Sequence, residues 1–169
     1  PEVQARILSS AAEQLGVTDA VIVGHSWGGA VAAAWALNHA EQIKGIAMLA
    51  GATHPWGGDG VFVYKLAASP SIGSIVRSAA RAYITPGRQE QFLADVFFPN
   101  EPIPGYIDYI GIELALRPNT FLWNSQDLAE VNGHLERMAP RYPAIRLPME
   151  ILHGENDQTV WASVHSQPL

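Results

Sequence analysis

Two patterns of hydrophobic residues occur along this 169-residue chain. Short continuous apolar runs, which are typical of strands in a parallel sheet, end in glycine or in a polar loop. Between them, apolar residues recur every three to four positions, as in amphipathic helices. The pattern predicts strands at about 20–24, 45–51 and 149–153. It predicts helices at about 1–15, 28–39, 62–68, 72–82, 88–97, 105–116 and 120–138, and a further helix start after Val160.

The order of these elements indicates an α/β fold with one large insertion. Strands that alternate with helices favour right-handed crossovers and a parallel sheet that is buried on both faces. The segment between the second and third strands is far longer than a crossover needs, and prolines and aromatic residues recur in it. We therefore predict an α/β core from residues 1–52 and 143–169 and a helical cap or lid from residues 53–142, which begins with a loop at 53–60. Alternatively, the aromatic residues hold only the insertion's own core.

Composition narrows the class of protein. Hydrophobic residues make up 48% of the chain and charged residues 15%, as in globular domains. The formal net charge is −6 with only 10 Lys and Arg, so we expect no nucleic-acid partner. The absence of cysteine excludes disulfides and thiol catalysis and favours a reducing compartment such as the cytoplasm. No apolar run has the length of a membrane span, so we expect no integral membrane segment.

The most informative motif follows the first predicted strand. Residues 24–29 read Gly-His-Ser-Trp-Gly-Gly and open a small-residue helix. A strand, Gly-x-Ser-x-Gly and a helix together are typical of a nucleophile elbow, in which a strained turn exposes the serine hydroxyl. Gly24 and Gly28 are expected where a Cβ would clash, and the helix N-terminus would point N–H groups at an oxyanion. The alternative is a glycine-rich turn in which Ser26 is incidental.

An acidic loop follows the third predicted strand. Asp157 comes just past the carboxyl end of that strand, the edge at which open α/β sheets place their sites. Glu155 lies two residues nearer the strand. The structural alternative for Asp157 is a helix N-cap or an Asx turn that caps the loop.

These two segments carry a family resemblance. Val-Ile-Val-Gly-His-Ser-Trp-Gly-Gly at 21–29 and Leu-His-Gly-Glu-Asn-Asp-Gln-Thr-Val at 152–160 resemble the best-known segments of the α/β-hydrolase fold superfamily. The likeness is closest to small-molecule esterases with a helical cap, and it covers nearly the whole chain. It implies a partial α/β-hydrolase fold: a parallel sheet of about three strands, flanking helices and a helical cap insertion. It also implies Ser26 as nucleophile, Asp157 as triad acid, the Trp27 backbone N–H as an oxyanion donor and His25 as a buried, hydrogen-bonded support.

The chain departs from the family pattern in two places. The family's catalytic histidine lies beyond a further helix and strand, whereas here only His165 follows the acid, on the next helix. We expect His165 to be a surface or helix-packing residue out of hydrogen-bond reach of Ser26. The second oxyanion donor of the family would precede Pro1. We therefore expect this chain to be part of a longer protein and, alone, to be weakly active or inactive.

The remaining candidate residues are assigned by position. His54 and Trp56 follow the second strand and, with His25, are candidate pocket residues; His153, before Gly154, is expected to be buried and hydrogen-bonded. No metal-binding or nucleotide-binding motif is present, so we predict no cofactor and no metal.

The resemblance implies a serine hydrolase acting on an ester or related acyl bond of a small apolar substrate. Serine at the elbow argues against dehalogenase and epoxide-hydrolase chemistry, which uses aspartate there in the families resembled. Carbon–carbon bond hydrolases, thioesterases and perhydrolases stay open, as does a non-catalytic ligand-binding protein of the same fold. The pattern does not indicate an oligomeric state.

Overall fold

The structure, a computed structural model, describes residues 1–57 and 60–169; Gly58 and Asp59, in the predicted loop 53–60, lie outside the described residues. The strands are β1 (Ala20–His25), β2 (Ile43–Leu49) and β3 (Met149–Leu152). The α-helices of the described residues are α1 (Glu2–Gln14), α2 (Trp27–Asn38), α3 (Gly60–Ala68), α4 (Gly73–Tyr83), α5 (Pro86–Phe97), α6 (Tyr106–Ile110), α7 (Ile112–Ala115), α8 (Pro118–Met138) and α9 (Ala162–His165). Short 3₁₀ helices cover Ala40–Gln42 and Ala139–Ala144.

The three strands form one parallel sheet in the order β1-β2-β3. His25 at the end of β1 is in register with Leu49 of β2, and Leu49 is in register with Leu152 of β3. The carboxyl ends of all three strands therefore meet at one edge of the sheet. The α/β architecture with a parallel three-stranded sheet, predicted from the alternation of strand and helix, is confirmed.

The described chain forms two compact units. The α/β unit comprises Pro1–Trp56 and Val131–Leu169, and the helical unit comprises Gly57–Glu130. The predicted insertion, 53–142, is wider than the helical unit, and its role as a cap stays a prediction.

Helix α2 packs closely on β1 and β2 because its residues are small. A Cβ on Gly24 of β1 would lie 2.4 Å from the Gly28 carbonyl oxygen and 2.9 Å from the Ala32 Cβ. No side chain larger than hydrogen fits between β1 and α2 at this point. The core cluster around α2 consists of Ala5, Val31, Ala32, Ala33, Ala34, Trp35, Ala36, Ile43, Ile46, Met48, Met138 and Tyr142.

The other face of β1 is not covered within the described residues. Alternate residues of a strand face opposite sides, so Ile22 shares the α2 side with Gly24, while Val21, Val23 and His25 share the opposite side. Val21 is 59% and Val23 62% exposed, whereas Ile22 packs against the core cluster. The expectation that the strands are buried on both faces is therefore wrong for β1 in this chain.

One predicted helix of the helical unit is interrupted. The pattern predicts a single helix over 105–116, whereas the structure has α6 and α7 with Gly111 between them at φ 60°. This left-handed conformation cannot continue a right-handed helix, so Gly111 ends α6. Across this unit, the rings of Phe97 and Tyr106 pack edge to face with centroids 5.1 Å apart.

No helix of the described residues combines the length and the hydropathy that a bilayer span requires.

Candidate active site

Ser26 lies in a strained turn between β1 and α2. Its backbone has φ 51° and ψ −120°, a conformation that side-chain-bearing residues rarely adopt. Such strain persists only where surrounding contacts hold it. Ser26 is half-buried, and none of the described residues forms a hydrogen bond with its hydroxyl. The backbone is thus fixed while the Oγ atom is left free for chemistry.

Three backbone hydrogen bonds hold the turn. The Ser26 N–H donates to the Leu49 carbonyl of β2 at 3.1 Å. The Ser26 carbonyl accepts from the Gly29 N–H within α2 and from the Ala52 N–H in the segment after β2, both at 2.9 Å. The elbow is therefore tied to the neighbouring strand and to the loop that follows it.

Gly29, rather than Gly28, is the second glycine that the elbow requires. A Cβ on Gly29 would lie 2.4 Å from the Gly51 Cα, because α2 and the segment after β2 cross here backbone to backbone. A Cβ on Gly28 would meet no atom within 4 Å. The expectation of a clash is confirmed for Gly24 and wrong for Gly28, since residue 28 faces open space.

Trp27 begins α2 directly after Ser26. The N–H groups in the first turn of a helix have no intrahelical acceptor, and within the described residues the Trp27 N–H has none. Its indole Nε1 donates to Gln4 Oε1 at 2.8 Å, and its ring packs against both hydrophobic clusters of the α/β unit. The side chain is held in place, and the backbone N–H is available at the helix N-terminus.

Asp157 lies in the loop after β3, at the same sheet edge as Ser26. Its Oδ1 accepts the backbone N–H groups of Thr159 at 2.8 Å and Val160 at 2.9 Å. This is the loop-capping turn of the structural alternative. It engages one carboxylate oxygen only, so a triad role for Oδ2 is compatible with it. The catalytic roles of Ser26, Trp27 and Asp157 stay predictions.

His153 lies beside Asp157 but has no free ring nitrogen. Its Nε2 bonds to the Val160 carbonyl at 2.5 Å, and its Nδ1 bonds to the Ser166 hydroxyl. Asp157 Oδ2 lies 3.6 Å from the same Nε2. The His153 side chain is only 5% exposed. The prediction of a buried, hydrogen-bonded histidine is confirmed, and the two occupied nitrogens make His153 a support for the loop.

His165 is a buried packing residue of α9, with 2% of its surface exposed. Its Nδ1 accepts the N–H groups of Thr53 at 3.2 Å and His54 at 3.3 Å. Its ring packs edge to face on Trp56 with centroids 5.2 Å apart. In the part of the chain that the structure describes, His165 makes no hydrogen bond to Ser26. The surface alternative for this histidine is wrong.

Thr53 connects these groups, although no sequence pattern singled it out. Its hydroxyl donates to the His165 carbonyl at 2.5 Å and therefore accepts from His54 Nδ1, 2.9 Å away. The Thr53 carbonyl accepts the Tyr142 hydroxyl at 2.7 Å. These bonds place the proton of neutral His54 on Nδ1 and leave its Nε2 as a base or acceptor. Only the tertiary contacts reveal this network.

Burial sets the protonation state of the network. It lowers the pKa of His165 to about 4, with smaller contributions in the same direction from His54 and His153 and an opposing one from Asp157. Burial also lowers the pKa of His54, against a hydrogen bond with the His165 backbone. Burial raises the pKa of the Tyr142 phenol. His165 is therefore uncharged at neutral pH, as the two backbone N–H groups that donate to its Nδ1 require.

The other candidate pocket residues differ in burial. His25, on the face of β1 away from α2, is exposed, and within the described residues its side chain has no hydrogen-bond partner. The expectation of a buried, bonded His25 is therefore wrong. Trp56 is half-buried; its N–H donates to Asn132 Oδ1 at 3.2 Å, and its carbonyl accepts from Asn132 Nδ2 at 2.7 Å.

Two clefts, of about 570 and 900 Å³, lie in the helical unit and do not include Ser26. Among the described residues, no three His, Asp or Glu side chains are grouped as a metal ion would require.

Comparison with known proteins decides the family. The family model described as "alpha/beta hydrolase fold" matches residues 2–102. This chain belongs to that family. No curated protein sequence matches it.

Solved structures of α/β hydrolases share its fold. An esterase from Thermogutta terrifontis is 22% identical with a TM-score of 0.65, over 99% of this chain and 58% of its own. A mutant haloalkane dehalogenase DatA from Agrobacterium tumefaciens C58 is 16% identical with a TM-score of 0.64, over 92% of this chain and 56% of its own. An enol-lactonase from Burkholderia xenovorans LB400 is 17% identical with a TM-score of 0.57, over 97% of this chain and 58% of its own. The chain thus spans less than two thirds of each of these proteins.

Proposed function

We propose that this α/β hydrolase is a serine hydrolase that cleaves an ester or related acyl bond of a small apolar substrate. The carrying observation is the conformation of Ser26, whose backbone is strained and tied down while its hydroxyl has no partner among the described residues. A carboxylate at the same sheet edge and a free N–H at the helix start support the same chemistry.

In the proposed first step, Ser26 Oγ attacks the acyl carbonyl carbon and passes its proton to a histidine base. The resulting oxyanion accepts the Trp27 N–H, where the helix N-terminus favours negative charge. Asp157 orients the base through Oδ2, since Oδ1 is engaged by Thr159 and Val160. The imidazolium then protonates the leaving alcohol. Water attacks the acyl-enzyme, releases the acid and restores Ser26.

The base in this proposal is not among the described histidines of the acid loop or α9. His153 has both ring nitrogens occupied, and His165 Nδ1 holds two backbone amides. The proposed base is therefore a histidine other than His153 and His165. We propose that the helical unit is the cap insertion of this fold.

Serine at residue 26 separates this proposal from dehalogenase and epoxide-hydrolase chemistry. Carbon–carbon bond hydrolysis, thioester hydrolysis and perhydrolysis use a similar elbow and are reactions of the same proposed nucleophile. A non-catalytic ligand-binding protein is the alternative from another class. This alternative gives no reason for the strained backbone conformation of Ser26.

A fluorophosphonate probe tests the proposal on the full-length protein. We expect one covalent adduct, on Ser26 by peptide mass spectrometry, and p-nitrophenyl acetate turnover that falls by about 10⁴–10⁶ in Ser26→Ala. Ser10→Ala, which changes an exposed serine of α1, is the matched control. Labelling that persists in Ser26→Ala, or no labelling of the folded wild-type protein, contradicts the nucleophile assignment and favours the ligand-binding alternative.

A further inference from the structure

We propose that His165 is a positioning residue for the reaction of Ser26: it holds the segment Ala52–His54, and through Ala52 the elbow itself. The inference rests on the proposed function, because the geometry it maintains is that of the nucleophile. The family resemblance assigns no role in the reaction to this histidine, which lies on α9.

The first step is the contact between α9 and the segment after β2. His165 Nδ1 accepts two consecutive backbone N–H groups, those of Thr53 and His54, and the His165 carbonyl accepts the Thr53 hydroxyl. Three hydrogen bonds thus join one buried residue to two adjacent residues. Such a set fixes both the position and the direction of the peptide planes at 52–54.

Residues next to this segment contact the elbow directly. The N–H of Ala52, directly before Thr53, donates to the Ser26 carbonyl at 2.9 Å. Directly before Ala52, Gly51 packs against Gly29 in the first turn of α2, at a distance that admits no side chain. A shift of the 51–54 segment would therefore move the Ser26 carbonyl and the first turn of α2 with it.

The hydrogen bonds of the His165 ring and its packing contacts are separable properties. His165 also packs edge to face on Trp56, and an apolar side chain of similar size could fill that space. It could not accept the Thr53 and His54 amides, which would then be buried or half-buried donors without an acceptor. The Nδ1 lone pair is what the positioning role requires.

Protonation offers a second way to remove the lone pair. The titratable groups that act on His165 are His54, His153 and Asp157, and the net effect with burial is a pKa of about 4. Protonated Nδ1 would face two N–H donors. The hold on residues 53 and 54 is therefore expected to weaken in acid, and an uncharged acceptor at the same place is expected to remove that dependence.

The test compares His165→Asn with His165→Leu in the full-length protein. The asparagine side chain places an oxygen where Nδ1 lies and stays uncharged, whereas leucine has similar volume and no acceptor. Backbone amide exchange at Ala52 and Thr53 is followed by NMR, and p-nitrophenyl acetate kinetics give kcat and KM. We expect the leucine variant to exchange the Ala52 and Thr53 amides faster than the wild type. Its kcat should fall about 10- to 100-fold with little change in KM, because a small misplacement of reacting groups slows the chemical step. Asparagine should restore most of kcat.

The pH dependence of amide exchange and a pair of Thr53 variants provide two further tests. Below about pH 5, the protection factor of the Thr53 amide, which corrects for the slower intrinsic exchange in acid, should fall in the wild type and not in the asparagine variant. If leucine prevents folding, Thr53→Val and Thr53→Ser replace the pair, since only serine keeps the hydroxyl that bonds to the His165 carbonyl.

Wild-type kcat and amide protection in the leucine variant, or equal loss in both His165 variants, would overturn the positioning role. Ser26→Ala in the same assay reports separately on the proposed function. If that variant keeps full activity, the nucleophile is wrong whatever His165 does, while the amide exchange still reports whether His165 holds the segment.

Discussion

The two halves of the candidate site are held by different means. At the end of β1, Ser26 is fixed through its backbone, which forms hydrogen bonds with Leu49, Gly29 and Ala52. Glycines in the elbow allow the backbone segments around it to approach closely. At the end of β3, Asp157 is fixed through its own side chain, whose Oδ1 accepts the Thr159 and Val160 amides. Within the described residues the Ser26 hydroxyl has no hydrogen-bond partner, whereas the Asp157 carboxylate stabilises its own loop.

The difference follows from what each side chain would have to do in the proposed reaction. A nucleophile forms and breaks a bond at Oγ and gives its proton to the base, so other atoms must hold the turn and leave Oγ free to bond to that base. A triad acid keeps its charge and position throughout, so one oxygen can serve the fold while the other orients the base. Substitutions at the two positions should therefore separate catalysis from stability in opposite ways.

Among the following variants, the largest expected effect is on turnover at the acid loop. Asp157→Asn keeps an oxygen for the two amides but loses the charge, so we expect a folded protein whose kcat falls by about 10⁴. Steady-state ester hydrolysis and a thermal unfolding scan measure the two properties. Glu155→Gln, which neutralises an exposed carboxylate in the same loop, is the control and should stay near wild-type turnover. Equal effects of the two substitutions would remove Asp157 from the proposed triad.

A pH effect on stability is expected from the support of the elbow. Folding lowers the pKa of His165 from 6.5 to about 4, so between these values the unfolded chain takes up a proton that the folded chain refuses. The free energy of unfolding should therefore fall as the pH is lowered through this window, by about 3 kcal/mol, and this contribution should level off below about pH 4. His54, whose pKa burial also lowers, adds in the same direction.

Urea unfolding of the wild type and of His165→Asn at matched pH values measures this contribution. The asparagine variant should lose less stability between about pH 7 and about pH 4. Parallel curves for the two proteins would show that His165 does not carry the dependence.

A pair of glycine substitutions tests whether the elbow depends on backbone contact. Gly29→Ala puts a Cβ 2.4 Å from the Gly51 Cα, so we expect a loss of about 1–3 kcal/mol in the free energy of unfolding. Gly28→Ala enters open space in the same helix and should be neutral or add up to about 1 kcal/mol through helix propensity. Chemical denaturation of both variants gives the difference. If Gly28→Ala proves the more damaging, the close approach at Gly51 is not what holds the elbow.

The smallest expected effect compares the two side chains as structural elements. Asp157→Ala removes the acceptor of two backbone amides and should lower the free energy of unfolding by about 1–2 kcal/mol. Ser26→Ala removes a hydroxyl without a partner among the described residues and should change it by less than about 0.5 kcal/mol. Differential scanning calorimetry of the two single variants is sufficient. Greater destabilisation by Ser26→Ala would mean that the hydroxyl has a structural role after all.

The sequence by itself determined the elements and their order. Helical and strand periods predict β1, α2, β2 and β3 to within a few residues, because apolar periodicity is a local property that burial imposes on any sequence of this fold. Gly24 could be predicted as a steric requirement, since the strand–turn–helix context specifies which backbone crosses it. The same alternation predicts that the carboxyl ends of the strands meet at one sheet edge, because parallel strands all end on the same side.

The tertiary structure decided which of these residues touch. Gly29, rather than Gly28, contacts Gly51 because residues 50–53 cross α2 at that point. No local sequence pattern predicts where this crossing lies. The exposure of His25 depends on which face of β1 α2 covers. The role of His165 depends on amides more than a hundred positions away, at Thr53 and His54. Hydrogen bonds and close contacts between distant segments leave no periodic trace in a sequence, because they are made by single atoms whose partners only the folded chain brings near.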